Sequence, residues 1–386
     1  MKPFRIATVA VAASALLLAG CAGAGPDTGG ETTGNVIKIG MVNPMTGSVA
    51  WAGVPIAQGA QTAVKEINDS GFLGDATIEL TISDSEGDPA KAISQYKGFD
   101  SDGVLGVICC SISSEAGSFA QLAATAQLPT VANGATLAGL NAPPYIYRPL
   151  VLPADPGGMY SQVAEAVVAE ADVTTAVVVE TADNEGNVAD ANQWIADLTS
   201  KGVDVLQTID TFQADTDFTV AVTNIVSLDP DLVVFSTQGP KSATMIKGLR
   251  DRGFTGLTAS SYGVAVPSVW EVGGSSLEGT IFPLPFSPIS DSERTKTFVA
   301  DYQAQWGVEP DLYGAQGYNA MWFLAEGIKA AGPGADREAL AQALAGLTEF
   351  ELASGNVVKM VDGQAKLADK VIIAQWNADG TQSLWP

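Results

Sequence analysis

The chain has 386 residues, with 43 acidic against 19 basic side chains, a formal charge of −24 and no histidine. So acidic a surface repels nucleic acid phosphates and anionic lipid, and the lack of histidine excludes Ser-His-Asp and Cys-His catalysis together with the H-E-x-x-H zinc site. The length and a hydrophobic fraction of 46% supply core for two domains of ordinary size.

Lys2 and Arg5 precede an apolar run from Ile6 to Leu18 and then Leu18-Ala19-Gly20-Cys21, the order of regions in a cleaved secretion signal. The run is too short to span a bilayer comfortably, and no later segment holds about eighteen uninterrupted apolar residues. Small residues at 19 and 20 admit a signal peptidase, and the pattern resembles the bacterial lipobox, which implies cleavage before Cys21 and lipidation of its thiol. Ala22 to Asn35 has the Gly, Thr and Ala composition of a flexible spacer. Of the remaining cysteines, Cys109 and Cys110 are adjacent. Neighbours in a strand point to opposite faces, so two buried thiols are expected, with a vicinal disulfide as the alternative.

From Val36 the pattern becomes strand then helix. Ile37 to Val42 reads as a strand and Ile56 to Ile67 as a helix with Ile56, Ala60, Ala63, Val64 and Ile67 on one face. Strands at Thr77–Ser83, Val104–Cys110 and Pro129–Ala132 alternate with helices at Ala90–Phe99 and Glu115–Ala126, a βα series with a mostly parallel sheet. After Pro143-Pro144 the alternation restarts: helix Gly158–Ala171, strand Thr175–Thr181, helix Val188–Lys201, strand Val203–Thr208, helix Phe218–Leu228, strand Leu232–Thr237 and helix Lys241–Arg252. Asp291 to Ala345 reads as largely helical, and Val357–Met360 and Lys370–Trp376 as strands.

Nucleotide loops are missing. No G-x-x-x-x-G-K-[ST] occurs, and Gly332-Pro333-Gly334 places Arg337 where a dinucleotide loop needs its third glycine. An EF-hand counted from Asp84 puts Pro89 at the required glycine and Gln95 at the bidentate glutamate, so Asp84 to Asp88 is a polar strand-to-helix turn. No cofactor or metal is expected. Hydroxyls gather at Ser111-Ile112-Ser113-Ser114 and at Asn133-Gly134-Ala135-Thr136, each just beyond a predicted strand. As helix starts, these would offer free N–H groups and a positive dipole end to a carboxylate, or serve as simple caps. Their place at the carboxyl ends of consecutive strands is that of a ligand crevice.

The stretches Ile37-Lys38-Ile39-Gly40, Met45-Thr46-Gly47, Gly59-Ala60, Glu66-Ile67-Asn68, Gly106 to Ser114, Gly134-Ala135-Thr136, Tyr147-Arg148-Pro149, Asp217-Phe218, Pro230-Asp231 and Gln375 to Gly380 are together distinctive in order and spacing. In them the chain resembles the branched-chain amino acid type of ABC transporter substrate-binding lipoprotein, a periplasmic binding protein of type I. The resemblance implies an α/β fold of two Rossmann-like lobes with mostly parallel sheets joined by three hinge crossings, near Leu152, Pro283 and Glu351. It divides the chain into a lipoprotein signal peptide 1–20, a tether 21–35, an N-terminal lobe of 36–152 and 284–350, and a C-terminal lobe of 153–283 and 351–386.

The same resemblance implies that Ser113, Gly134 and Thr136 hold the carboxylate and amine of an amino acid or related small carboxylate or amide. Trp51, in the loop after the first strand, and Tyr313 match wall aromatics, and both also suit core packing. In the second lobe the family's tyrosine-glycine pair is Glu185-Gly186, a second pocket tyrosine is Gln238, and the glutamate that meets the ammonium is Tyr262. Glu185 either replaces that glutamate from another side or is a solvated loop carboxylate. The family's disulfide is lost, Gly87 and Ile112 standing at its positions. The implied protein is a lipid-anchored, extracytoplasmic monomer that closes around one solute and delivers it to an ABC permease with its ATPase. A sensor for a signalling partner and a secreted hydrolase are the rival readings.

Overall fold

β1 (Val36–Asn43) is buried along its last five residues, as a central strand covered on both faces must be. The computed structural model describes residues 35–109, 111–117, 119–332, 334–367 and 370–385; the expected signal peptide, Cys21, the expected tether up to residue 34 and Cys110 lie outside them. α1 (Ala50–Asp69) follows β1, then β2 (Thr77–Asp84), α2 (Pro89–Ser101), β3 (Gly106–Cys109), α3 (Ser113–Ala116), α4 (Phe119–Ala126), β4 (Thr130–Ala132) and β5 (Ile146–Tyr147). The five strands form a wholly parallel sheet in the order β2-β1-β3-β4-β5. Val36 lies opposite Thr77 and Asn43 opposite Asp84.

The second series is α5 (Met159–Glu170), β6 (Thr175–Thr181), α6 (Glu185–Ser200), β7 (Asp204–Thr211), α7 (Thr219–Leu228), β8 (Leu232–Ser236), α8 (Gly239–Arg250), β9 (Leu257–Ser260), a 3₁₀ turn at Tyr262–Ala265, α9 (Pro267–Gly273) and β10 (Ile281–Leu284). α10 (Glu293–Trp306), α11 (Leu312–Ala331) and α12 (Arg337–Ala345) come next, then β11 (Glu349–Glu351), β12 (Val357–Val361), β13 (Gln364–Lys366), β14 (Ile372–Trp376) and β15 (Gln382–Leu384). A seven-stranded sheet runs β15-β14-β10-β9-β8-β6-β7, parallel from β7 to β10 and antiparallel at β14 and β15. β11 to β13 make a separate antiparallel sheet, which the sequence announces only through β12.

α11 returns the chain to the first sheet. Every residue from Leu312 to Ala325 is buried, and a methyl group on Gly59 or Gly317 would collide with the carbonyl oxygens of Gly314 and Ile56 respectively. The backbones of α1 and α11 therefore touch, which fixes the start of α1 against the start of α11. Both starts face the site described below.

Three expectations change here. α1 begins at Ala50 and keeps Pro55 inside it; a proline that early in a helix removes only the bond to the carbonyl of Trp51, so Trp51 lies in the first helical turn and not in a loop. The helix expected over Glu115–Ala126 is interrupted after Ala116. Cys109 is buried and disulfide-bonded, against the expectation of two free thiols. β3 ends at Cys109, so strand alternation does not govern the step that follows. The Asp84 turn is as expected. Asp84 accepts from the Met45 and Glu86 N–H groups at 2.8 and 2.9 Å, and Asp88 caps α2 through the Lys91 N–H at 2.8 Å.

Candidate functional site

Parallel strands deliver their carboxyl ends to one edge of a sheet, and side chains just beyond them share a crevice. In the first sheet three buried polar side chains tie these ends together. Ser111 Oγ lies between Asn43 Oδ1, to which it donates, and Asn133 Oδ1 at 3.3 Å, while Asn43 Nδ2 donates to the Gly53 carbonyl at 2.6 Å. Beyond β3 stands Ser113, and beyond β4 stand Gly134 and Thr136. Ser113 Oγ accepts the Thr136 N–H at 3.1 Å, so one bond already couples the two hydroxyl residues. Gly134 has to lack a side chain, because a Cβ there would lie 2.7 Å from the Ser111 carbonyl oxygen.

The expected pair of helix N-termini is corrected. α3 has only four residues and no side-chain cap, and no helix follows Thr136. A single turn sums few peptide dipoles. Recognition on this wall therefore rests on hydroxyls.

The strand ends of the second sheet form the opposite wall. Asn184 caps α6 by accepting from the Gly186 and Asn187 N–H groups at 3.1 and 3.2 Å. Gly186 backs directly onto the first wall: a Cβ there would strike Ser113 Oγ and Thr136 Oγ1. Thr237 and Gln238 follow β8, and Ser261 and Tyr262 follow β9. Gln238 occupies the cap position of α8 without a side-chain capping bond, so its amide is not committed to that helix end.

Between the walls lies a cavity of about 90 Å³, whose lining includes Trp51, Ser113, Gly134, Thr136, Gln238, Tyr262 and Tyr313. Glu185 is the one predicted ligand residue outside it. As the first residue of α6, just after the Asn184 cap, it is exposed. Trp51 and Tyr313 meet edge to face with centroids 5.2 Å apart, and Tyr262 lies 6.4 Å from Tyr313. Gly263 admits this cluster, since a Cβ there would sit 2.9 Å from the Tyr313 hydroxyl. Asp311 fixes Tyr313 by accepting from its N–H and that of Gly314 at 2.9 and 3.0 Å.

Three buried polar atoms on this lining have no hydrogen-bond partner among the described residues: Trp51 Nε1, Asn187 Oδ1 and Asp190 Oδ1. Buried polar groups are normally paired, so a cavity lined by the unpartnered Trp51 donor and the unpartnered Asn187 and Asp190 oxygens suits a polar ligand that can both accept and donate. Burial pushes Asp190 well above the ordinary carboxylate range, moderated by the hydrogen bond from Tyr160. Burial and the nearby Asp190 raise the Tyr262 and Tyr160 hydroxyls, so both are neutral donors. A larger cavity, about 180 Å³, lies among Leu150, Phe286, Leu352 and Ile372 and contains none of the predicted residues. Its lining is mainly apolar.

The sequence profile of a family described as periplasmic binding protein matches residues 36–381. The chain belongs to the periplasmic binding protein family. Among curated relatives, the Leu/Ile/Val-binding protein BraC3 of Rhizobium johnstonii is 28% identical, with 83% of this chain and 86% of that one covered. The leucine-, isoleucine-, valine-, threonine- and alanine-binding protein of Pseudomonas aeruginosa is 25% identical, with 90% and 92% covered. Among solved structures, the leucine binding protein LivK of Thermotoga maritima superposes with a TM-score of 0.80 at 25% identity, covering 91% of this chain and 98% of that one. The mostly parallel α/β architecture is thus the periplasmic binding protein type I fold.

In this member of the family the sequence leaves several lining residues unmarked, chiefly Tyr160, Asn187 and Asp190. α6 begins at Glu185, whereas the apolar spacing predicts a start at Val188. With the true start, Asp190 falls on the buried face with Gly186, Ala191, Trp194 and Leu198, and a lone carboxylate on an apolar stripe is the signal that could have found it. Gly87 and Ile112 are neighbours, since a Cβ added to Gly87 would lie 3.8 Å from Ile112 Cδ1, so the two positions at which the resemblance places the family's disulfide are close in space without cysteines to join them.

Proposed function

We propose that this chain is the extracytoplasmic solute-binding component of an ABC importer and that it captures an aliphatic α-amino acid between two lobes by hinge closure. The observation that carries this is the cavity between the strand ends of the two sheets, with the Ser113 and Thr136 hydroxyls on one wall and unpaired buried donors and acceptors around it. Ser113 and Thr136 receive the carboxylate, Trp51, Tyr262 and Tyr313 wall the aliphatic side chain, and Gln238 and Gly134 shape the remaining sides. The binding roles in the names of the relatives support the ligand class. The lobes are residues 36–152 with 284–350, and 153–283 with 351–386. Cleavage before Cys21 and its lipidation tether the monomer to the membrane beside its permease. It turns nothing over.

Isothermal titration with leucine, isoleucine and valine, backed by a thermal-shift screen of other amino acids, amides and small carboxylates, tests this. At least one ligand is expected to bind and raise the melting temperature. Ser113→Ala and Thr136→Val are each expected to weaken binding about tenfold to a hundredfold, the loss of one hydrogen bond to a charged group. A folded protein that binds none of them, or unchanged affinity in both variants, overturns the assignment.

A further inference from the structure

Asp190 is 97% buried, its relative exposure being 3%, and it lies on the cavity lining. Oδ2 accepts the Tyr160 hydroxyl at 3.3 Å, a long bond, and Oδ1 has no partner among the described residues. The Tyr160 ring stacks on Trp194 at 5.3 Å, which holds the hydroxyl under the carboxylate. Among the described residues no lysine or arginine offsets the burial of Asp190. A carboxylate enclosed without a cation is costly in its charged form and strongly favours any cation delivered to it.

The helix supplies the spacing. Asp190 stands four residues beyond Gly186 on the same face of α6, roughly 6 Å along the axis, and Gly186 abuts the hydroxyls of Ser113 and Thr136. A carboxylate held at those hydroxyls with an ammonium group one carbon away therefore places its positive end toward Asp190. We infer that Asp190 is the counter-ion for the ammonium group of the bound amino acid and selects it over carboxylates that lack an amine. This rests on the assignment of the cavity to an amino acid.

A consequence separates an ion pair from a structural hydrogen bond. Burial raises the Asp190 carboxyl in the free protein, and an ammonium beside it favours the ionised form, so pairing is expected to release a proton. The other titratable groups facing it are the hydroxyls of Tyr160 on α5 and Tyr262 on the 3₁₀ turn, with Tyr313 on α11 beside Tyr262 on the same lining, all raised by burial and hence neutral. Arg148 bears on Tyr262, and Asp311 on Tyr313. Asp190 is thus the group on the lining whose charge changes on binding.

Titration of the wild-type protein with leucine at about pH 6, in buffers of different ionisation enthalpy, is expected to show net proton release. Affinity is expected to rise with pH and then level off. Asp190→Asn should bind leucine about a hundredfold more weakly, lose the proton release, and bind 4-methyl-2-oxopentanoate at least as well as the wild type does. Leucine binding without proton release, or with wild-type affinity in Asp190→Asn, overturns the inference while leaving the amino acid site standing. Failure of the wild type to bind any amino acid overturns the site itself, and the inference with it. The proton measurement needs no variant, so an Asp190→Asn protein that does not fold leaves the test intact.

Discussion

Arg148 is fully buried, and what it holds explains how a loop without regular structure can present a precise site. Its guanidinium donates to the carbonyls of Ala135 and Leu137 at 3.0 and 2.8 Å, to Gln364 Oε1 at 2.7 Å and to Asn141 Oδ1 at 3.3 Å. Its backbone exchanges bonds with Gly363 and Ala365. Burial lowers its pKa to about 10, opposed by Asp155, and it stays charged at any physiological pH. One planar cation thus joins the segment carrying Gly134 and Thr136 to β13. Arg148→Met leaves buried carbonyl oxygens unpaired and should cost about 3 kcal/mol or more in urea unfolding, with loss of ligand affinity. Arg148→Lys keeps the charge but not the fork, and should recover little of that loss. A lysine variant with the wild-type urea midpoint would show that charge alone suffices.

At the scale of elements, the contact between α1 and α11 sets the aromatic wall, because Trp51 lies in the first turn of one helix and Tyr313 in the first turn of the other. Gly317→Ala forces a methyl group into the Ile56 carbonyl and should destabilise the protein by about 3 kcal/mol while weakening ligand binding. Gly98→Ala, on the exposed face of α2 with open space around its Cα, should instead stabilise it by up to about 1 kcal/mol. Equal melting temperatures for the two variants would refute the close-contact account. The same helices show what was legible in the sequence. Alternation gives β2, and short apolar runs bounded by turn residues give β1, β6 and β8, which are buried on both faces; the α11 region is legible only as helical, since it is buried nearly all round. These signals miss β9 and β10, whose sequences Leu-Thr-Ala-Ser and Ile-Phe-Pro-Leu hold small polar residues or a proline where a strand signal needs a β-branched apolar run. The polar clusters 111–114 and 133–136 were legible because strand ends are predictable places, while the choice of Ser113, Gly134 and Thr136 within them came from the family resemblance. Asp190 was not, since finding it requires knowing that Asn184 starts α6 and that the buried face of the helix meets the other wall.

For the whole molecule, buried carboxylates make stability depend on pH against the usual direction. Glu115, in α3 and 1% exposed, is raised to about 7 by burial, with Ser85 opposing, and burial takes Asp311 to about 6. Asp190 is raised as well. A folded pKa above the unfolded value means stability fully present below the unfolded pKa and lost as pH rises through the folded one. Glu115 alone contributes a loss on the order of 3 kcal/mol across that window. Asp231, lowered to about 2 by the Thr174 and Thr175 N–H and hydroxyl groups, acts the opposite way, but only in strong acid. The free protein should therefore melt at a lower temperature at about pH 8 than at about pH 5, and Glu115→Gln should flatten that slope. A ligand ammonium that allows Asp190 to ionise removes one of these penalties, so the stabilisation given by saturating leucine should grow over the same range. Melting curves at both pH values, with and without leucine, measure the two effects together. A slope unchanged in Glu115→Gln would remove Glu115 as its source, and a ligand shift that shrinks toward alkaline pH would contradict an ion pair at Asp190.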